Sequence, residues 1–375
     1  MNVVIVTNNY APYSGGVVSS INAFARGLRD FGHSVFIVTL DFTGEPSNDP
    51  FVLSIFCPVR FKYKKNHLAI PWRATNELKR IIKRLDPDIV HSQHPFLLGV
   101  SAVRVCKELN IPIVFTHHTQ YVQYSHYIPL PGLVVKPVIN HRVIWYAKHV
   151  DAIIAPSAVI KDELKSKGVE KGVCVLPSPL LPVFFESTQD LQEESRSFKL
   201  LIVSRFMKEK NITFLLDMFA RLPKGYTLTL VGYGALLSDL KEYAYDRLGL
   251  SKHKVRFVVK PPKARLLKLY RSADLFVFSS LTETQGLVVA EAMASGLPVV
   301  ALDSPALHDI IVNRQNGLLV SNIHEMVKGI ESISQSSTFY STLKQGALRT
   351  AQGYSSQNLS QRLIEFYTQI ILSQT

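Results

Sequence analysis

Short apolar runs rich in Val and Ile recur along the first half of the chain: VVIVT (3–7), SVFIVTL (34–40), DIVHS (88–92), PIVFTHH (112–118) and AIIAPS (152–157). Each is nearly continuous in apolar residues and bounded by turn formers, the pattern of a parallel strand covered on both faces. Between them the period lengthens to that of a helix, as from Val18 to Phe31, which stops at Gly32. The second half repeats the theme with LLIVSR (200–205), TLTLVG (227–232), KVRFVV (254–259), DLFVFSS (274–280) and PVVALD (298–303). Two successive βαβ series predict an α/β protein of two Rossmann-like, doubly wound domains facing a cleft. The first covers residues 1–180, a Pro-rich and then acidic linker covers 181–197, and the second covers 198–358. A stripe of Leu359, Leu363, Phe366, Tyr367 and Ile370 predicts a last helix over 359–373, packing back on the first domain.

Length and composition agree with that division. A chain of 375 residues suits two domains, and 47% apolar against 19% charged residues supply ample core. No apolar run reaches the roughly 18 to 20 residues needed to span a bilayer. The start, MNVVIVTNN, has no basic leader and reads as a first strand rather than a signal peptide. Cys57, Cys106 and Cys174 lie far apart, which points to a reducing cytosol and against a disulfide or zinc framework. The net charge is +13; residues 1–185 hold 20 Lys and Arg against 12 Asp and Glu, the remainder 22 against 17. Such an excess calls for an anionic partner: nucleic acid, lipid or a phosphorylated small molecule. No nucleic-acid module accompanies it, so nucleic acid ranks last.

The chemistry concentrates in ETQGLVVAEAMASGLPVV, from Glu283 to Val300. Glu283 falls in the turn before a helix, and Gly286 and Leu287 fall where unpaired N–H groups and the positive helix end bind phosphate. Glu291 sits among Val289, Ala290, Ala292, Met293 and Ala294, where a buried carboxylate needs hydroxyl or N–H partners. The bland alternative is that Glu283 complements the dipole and Glu291 is solvated. Gly15 and Gly16 follow the first strand and precede its helix, a place where backbone approaches a diphosphate, although a Gly pair there is often structural. Gly232, in VGYG, carries the same caution. Arg205 and Lys210 leave the first strand of the second half and suit a departing diphosphate, or are plain surface cations. His91 and His94 on one predicted strand, like the adjacent His117 and His118, are expected to point to opposite faces, so no metal is expected. Asp86-Pro87-Asp88 reads as a strand entry. The basic helix at 75–86 reads as an ordinary surface helix. The run RFKYKKNH, with Phe61, Lys62, Tyr63, Lys64 and Lys65, is the better interfacial candidate, and the apolar 127–139 segment, starting at Tyr127, suits an acceptor groove or lipid.

These features together resemble the retaining GT-B glycosyltransferases of family 4. The carriers are Gly15-Gly16, PDIVHS (87–92), THHT (116–119), SRFMKEKN (204–211), VGYG (231–234), the Glu283–Val300 block and Asn316-Gly317. The resemblance implies a nucleotide-sugar donor, with Glu283 on sugar hydroxyls, helped by Thr284, Gln285, Gly286 and Leu287. It implies Glu291 on the ribose, Arg205 and Lys210 on the leaving diphosphate, His118 at the donor sugar and Gly16 near the phosphate. It also implies no cofactor, no obligatory metal and no protein nucleophile. ETQG and HTQYVQYSHYIPLP look most like diacylglycerol glucosyltransferases, with phosphatidylinositol mannosyltransferases close by. Hence UDP-glucose, a lipid acceptor and a peripheral position on the cytoplasmic side of an anionic membrane are expected. A soluble acceptor, or a silent nucleotide-binding scaffold, are the alternatives. Gln93, where a second His often follows His91, and Pro177-Ser178-Pro179 depart from the family pattern.

Overall fold

The computed structural model describes residues 1–12, 15–45, 47–63, 66–118, 121, 132–170, 172–186, 197–280 and 282–374; for 62, 63, 66 and 132–134 it describes the backbone. The chain divides into two compact units, Met1–Pro179 with Ser356–Thr375, and Leu180–Ser355.

In the first unit, in chain order, come β1 (Asn2–Val6), α1 (Gly16–Asp30), β2 (Ser34–Leu40), β3 (Val52–Ile55), β4 (Val59–Tyr63) and β5 (Asn66–Ile70). Next are α2 (Ala74–Leu85), β6 (Ile89–Ser92), α3 (Leu98–Leu109), β7 (Ile113–Thr116), α4 (Gly132–His149), β8 (Ala152–Ala155), α5 (Ala158–Ser166) and β9 (Val173–Val175). Seven strands form one parallel sheet in the order β3-β2-β1-β6-β7-β8-β9. Val4 and Val6 join one core cluster while Val3 and Ile5 join another, so both faces of β1 are dry. That is why the sequence shows runs rather than alternation. The α2 stripe behaves as an ordinary amphipathic face, with Leu78 and Ile82 fully buried. Strands β4 and β5 form a separate antiparallel hairpin that the apolar pattern did not predict, because the apolar positions of β4 alternate with Arg and Lys and those of β5 number only three.

The second unit holds β10 (Phe198–Arg205), α6 (Ile212–Ala220), β11 (Tyr226–Tyr233), α7 (Leu237–Glu242), β12 (Val255–Val259), α8 (Lys263–Ser272) and β13 (Leu275–Phe278). It continues with α9 (Leu287–Ala294), β14 (Val299–Leu302), β15 (Gly317–Val320), α10 (Ile323–Gln335) and α11 (Ser337–Gln352). Its parallel sheet runs β12-β11-β10-β13-β14-β15. The last helix, α12 (Ser356–Leu372), belongs to the first unit. It lies so close to α1 that a Cβ on Gly27 would sit 2.1 Å from the Ser360 Oγ. Ser356 Oγ donates to Ala23 O at 3.2 Å, and Arg362 donates to Val175 O at 2.9 Å.

In each sheet the winding direction reverses once, between β1 and β6 in the first unit and between β10 and β13 in the second. Connections leave in opposite directions there, opening a crevice at the carboxyl ends of the strands. Gly15 and Gly16 follow β1, Lys210 follows β10 and Glu283 follows β13, all on that side of their sheets.

Candidate active site

In the second unit, the reversal brings the loop after β10 beside the loop after β13. A single helical turn at Lys208–Lys210 carries Lys210, whose ammonium pairs with the Glu283 carboxylate. Both side chains are mostly buried, at 13% and 14% exposure, so the pair is shielded rather than a screened surface contact. Two serines that the sequence motifs do not single out fix this turn. Ser279 Oγ donates to the carbonyls of Lys210 and Asn211 at 2.9 and 3.0 Å, and Ser280 Oγ to Glu209 O at 3.3 Å. They end DLFVFSS, and nothing in their spacing reveals that they hold a loop some 70 residues away. Arg205, at the end of β10, lies 3.5 Å from Glu209 and is partly exposed.

The α9 N-terminus comes directly after. Its cap is Gly286 at φ 71, a left-handed position that favours glycine, and no side chain caps the helix. A Cβ there would also press on Leu307 at 2.9 Å, so packing alone gives Gly286 a structural reason. Thr284 and Leu287 are half-buried and Gln285 is buried. On the helix itself, Glu291 Oε2 accepts from the Tyr270 hydroxyl at 2.9 Å. Burial raises the Glu291 carboxyl to about 7, opposed by the Tyr270 hydrogen bond and by Lys263. A carboxyl poised there changes charge near neutral pH, and its ionised form is the better acceptor for hydroxyl groups. Gly232 has a different explanation: a Cβ on it would lie 1.7 Å from Ser204 O, where β11 closes against β10.

In the first unit, four histidines gather about the ends of β6 and β7: His91 within β6, and His94, His117 and His118 past the strand ends. The sequence expectation that His91 and His94 share one strand is corrected, since β6 stops at Ser92, and β7 stops at Thr116 before His117 and His118. Alternation of faces therefore does not govern these pairs. His91 is buried, with Nδ1 on the Tyr367 hydroxyl of α12 and Nε2 on Thr116 Oγ1, both at 2.6 Å. His94 Nδ1 accepts the Asn8 N–H at 3.2 Å, and Asn8 in turn accepts from Leu98 N at 3.1 Å, tying the loop after β1 to the start of α3. His118 Nε2 donates to Gln93 Oε1 at 2.6 Å, so the family departure at Gln93 supplies the partner of His118. Burial depresses all four rings: His91 to about 3, and His94 and His117 to about 4. His118 is held well below the usual value by burial and then by the neighbouring imidazoles of His94, His91 and His117. With its Nε2 proton given to Gln93, a neutral His118 keeps Nδ1 as an acceptor for a hydroxyl group and offers phosphate no charge.

Gly15 and Gly16 open α1 after β1. Gly15 has an extended φ of 169°, and a Cβ on either residue would meet nothing within 4 Å. The packing of this unit does not demand glycine at either position. Asn316, of the family-like Asn-Gly pair, is a structural staple: it accepts from Val312 N and donates to Ile310 O and Thr350 Oγ1. Among the interfacial candidates, Phe61 is exposed on β4, while Lys62 and Tyr63 are described as backbone. Lys64, Lys65 and Tyr127 lie outside the described residues. Among the described residues no helix is long and apolar enough to cross a membrane, and no group of three His, Cys, Asp or Glu is arranged to hold a metal.

Two reversing parallel sheets, with their chemistry at the strand ends, define a GT-B glycosyltransferase, and the comparisons with known proteins agree. A family described as Glycosyltransferase Family 4 matches residues 14–180, and one described as Glycosyl transferases group 1 matches 183–349. The alpha-monoglucosyldiacylglycerol synthase of Streptococcus pneumoniae is 30% identical, over 100% of this chain and 87% of that protein. The enzyme of the same name from Acholeplasma laidlawii is 26% identical, over 99% and 98%. Among solved structures, HepE of Anabaena in complex with UDP-glucose shares the fold at TM-score 0.72 and 17% identity, covering 98% of this chain and 99% of that one. The chain belongs to the family 4 glycosyltransferases of GT-B fold.

Proposed function

We propose that this protein is a retaining glucosyltransferase that moves glucose from UDP-glucose to the free hydroxyl of a diacylglycerol-type lipid on the cytoplasmic side of a membrane. The observation that carries the reading is the shielded Lys210–Glu283 pair beside the uncapped start of α9. A cation for a diphosphate and a carboxylate for sugar hydroxyls stand side by side, which is what a nucleotide sugar presents. The names of the two relatives support glucose and diacylglycerol.

In this reading the diphosphate takes Lys210 and Arg205, joined by N–H groups at the α9 start, and Glu283 turns to the glucose hydroxyls. Glu291 receives the ribose hydroxyls alongside Tyr270. For Gly15, Gly16 and the neutral His118 of the first unit, a donor role rests on the family resemblance alone. The bond from C1 to the phosphate oxygen breaks and the bond from C1 to the acceptor oxygen forms on the same face. The acceptor proton passes to the departing phosphate, so no protein nucleophile is used. Catalysis then rests on orientation and on charge placed to receive the leaving group. No step calls for a metal.

Incubating the protein with labelled UDP-glucose and diacylglycerol dispersed in detergent is the test. Label in the organic phase supports the proposal. Label only in water-soluble product replaces the acceptor, and label delivered only from GDP-mannose replaces the donor.

A further inference from the structure

We infer that Tyr270 is a positioning residue for the nucleotide: its hydroxyl holds the Glu291 carboxylate ionised and oriented to receive the ribose hydroxyls of a nucleoside diphosphate. The inference rests on the donor reading above. Tyr270 is fully buried, so it meets no ligand itself and acts through Glu291, whose Oε2 accepts its hydroxyl proton at 2.9 Å. Glu291 is half-buried, so a ligand can reach it.

The tyrosine is anchored from three elements. It belongs to α8, its ring stacks on Phe276 of β13 with centroids 6.0 Å apart, and it meets the Phe184 ring edge-on at 5.8 Å. Phe184 closes a single turn at Pro182–Phe184, and Arg271, the next residue along α8, donates to Val183 O of that turn at 2.9 Å. The hydroxyl is thus a fixed point against which a flexible side chain is set. Ordering a glutamate on a helix costs rotamer entropy, and a bond already formed meets that cost before a ligand arrives.

A purely structural bond would not need a carboxylate here. Val289, Ala290, Ala292 and Met293 around it are fully buried, and a carboxylate in such company is costly unless its oxygens are bonded. An ionised carboxylate offers about four acceptor sites, and among the described residues the side chain hydrogen-bonded to it is Tyr270. The sites left over suit the two adjacent hydroxyls of a ribose. Charge around the group is sparse. Lys263, at the start of α8, favours the ionised form as Tyr270 does, and both act against burial. Helix α9 carries no other charge, β13 and β14 beneath it carry none, and Lys344 of α11 lies by Gly296, past the end of α9. Removing the Tyr270 hydroxyl therefore leaves burial less opposed and raises the pH at which Glu291 ionises.

The test is UDP binding to the full-length protein, measured by calorimetry from about pH 5.5 to about pH 9; the phosphate ionisation of UDP near pH 6 is common to every variant and cancels between them. Tyr270→Phe keeps the ring and its packing. Its affinity should rise about one pH unit later than the parent's, leaving it about fivefold weaker at pH 7 and close to the parent at about pH 9. At pH 7 the parent should prefer UDP to 2′,3′-dideoxy-UDP by about tenfold, and that preference should shrink in Tyr270→Phe. Phe184→Leu, which disturbs the packing of the ring and keeps the hydroxyl, should melt lower than the parent with the pH midpoint in place. An unmoved midpoint in Tyr270→Phe, with UDP and the dideoxy analogue weakened alike, makes the tyrosine a packing residue and overturns the inference. A midpoint moved equally by Phe184→Leu overturns it too. The two readings fail separately. If UDP binding titrates in the parent, is flat in Glu291→Gln and keeps its midpoint in Tyr270→Phe, the donor reading stands and the inference falls. If the parent binds GDP in place of UDP, the base assignment falls, while the same shift in Tyr270→Phe read with GDP upholds the inference. If the parent binds neither, both fall.

Discussion

Glu291 gives the sharpest test at the scale of single residues. Its carboxyl is raised to about 7 by burial, from an ordinary 4.5. Folding thus favours the protonated form, so this group's stabilisation is fully present below about 4.5 and is lost as pH rises through about 7. The Glu291→Gln variant, neutral throughout, should melt higher than the parent at about pH 8, with the gap closing near pH 5 in thermal scans. Donor binding has the opposite sign, because ribose hydroxyls donate best to the ionised group. UDP affinity should fall by up to about tenfold per unit below pH 7, read by calorimetry, and become nearly flat with pH in Glu291→Gln. The carboxylate was legible in the sequence because a lone Glu in an Ala- and Val-rich helix needs a reason. Tyr270 was not, since the bond joins two helices whose packing no local pattern encodes. Lys210, Glu283 and Arg205 were named as separate motifs, and the reversal of the sheet explains why the first two meet.

Elements decide which glycines the packing demands and which it leaves open. Gly16→Ala places a methyl in open space at a helix start, so stability should hold or rise by roughly 0.4 to 1 kcal/mol in denaturant titrations. Its donor KM should nevertheless rise if a phosphate approaches that backbone. Gly232→Ala instead drives a methyl into Ser204 O and should cost about 1–3 kcal/mol or more through the β10–β11 strand pair. Most sheet strands were legible because buried parallel strands are continuous apolar runs, while β3, β9 and β15, at three or four residues each, do not stand out as runs. The hairpin was not, since an exposed apolar face interleaved with cations has the composition of a loop. The C-terminal helix was legible as a stripe, but the stripe gives no sign that Tyr367 reaches His91. Tyr367→Phe removes that buried hydrogen bond and should lower stability by about 1–3 kcal/mol, with His91 left short of a partner.

The whole molecule is two sheets of the same winding, each with polar side chains collected where the winding turns. Strands that alternate with helices build a parallel sheet covered on both faces, which is why fold class was readable from the spacing of runs. Acceptor chemistry was the least readable part, because much of the segment after His118 has no periodic pattern and its composition alone carried the reading. The basic surplus, heavier in the first 185 residues, suits an anionic partner. The most direct measurement is the initial rate of glucose transfer from UDP-glucose to detergent-dispersed diacylglycerol, comparing the parent with Lys210→Ala and Glu283→Gln. Both variants should lose about 10²- to 10³-fold in kcat, with their secondary structure and cooperative thermal unfolding retained. Parent-level rates in either variant would contradict the placement of the chemistry at the Lys210–Glu283 pair.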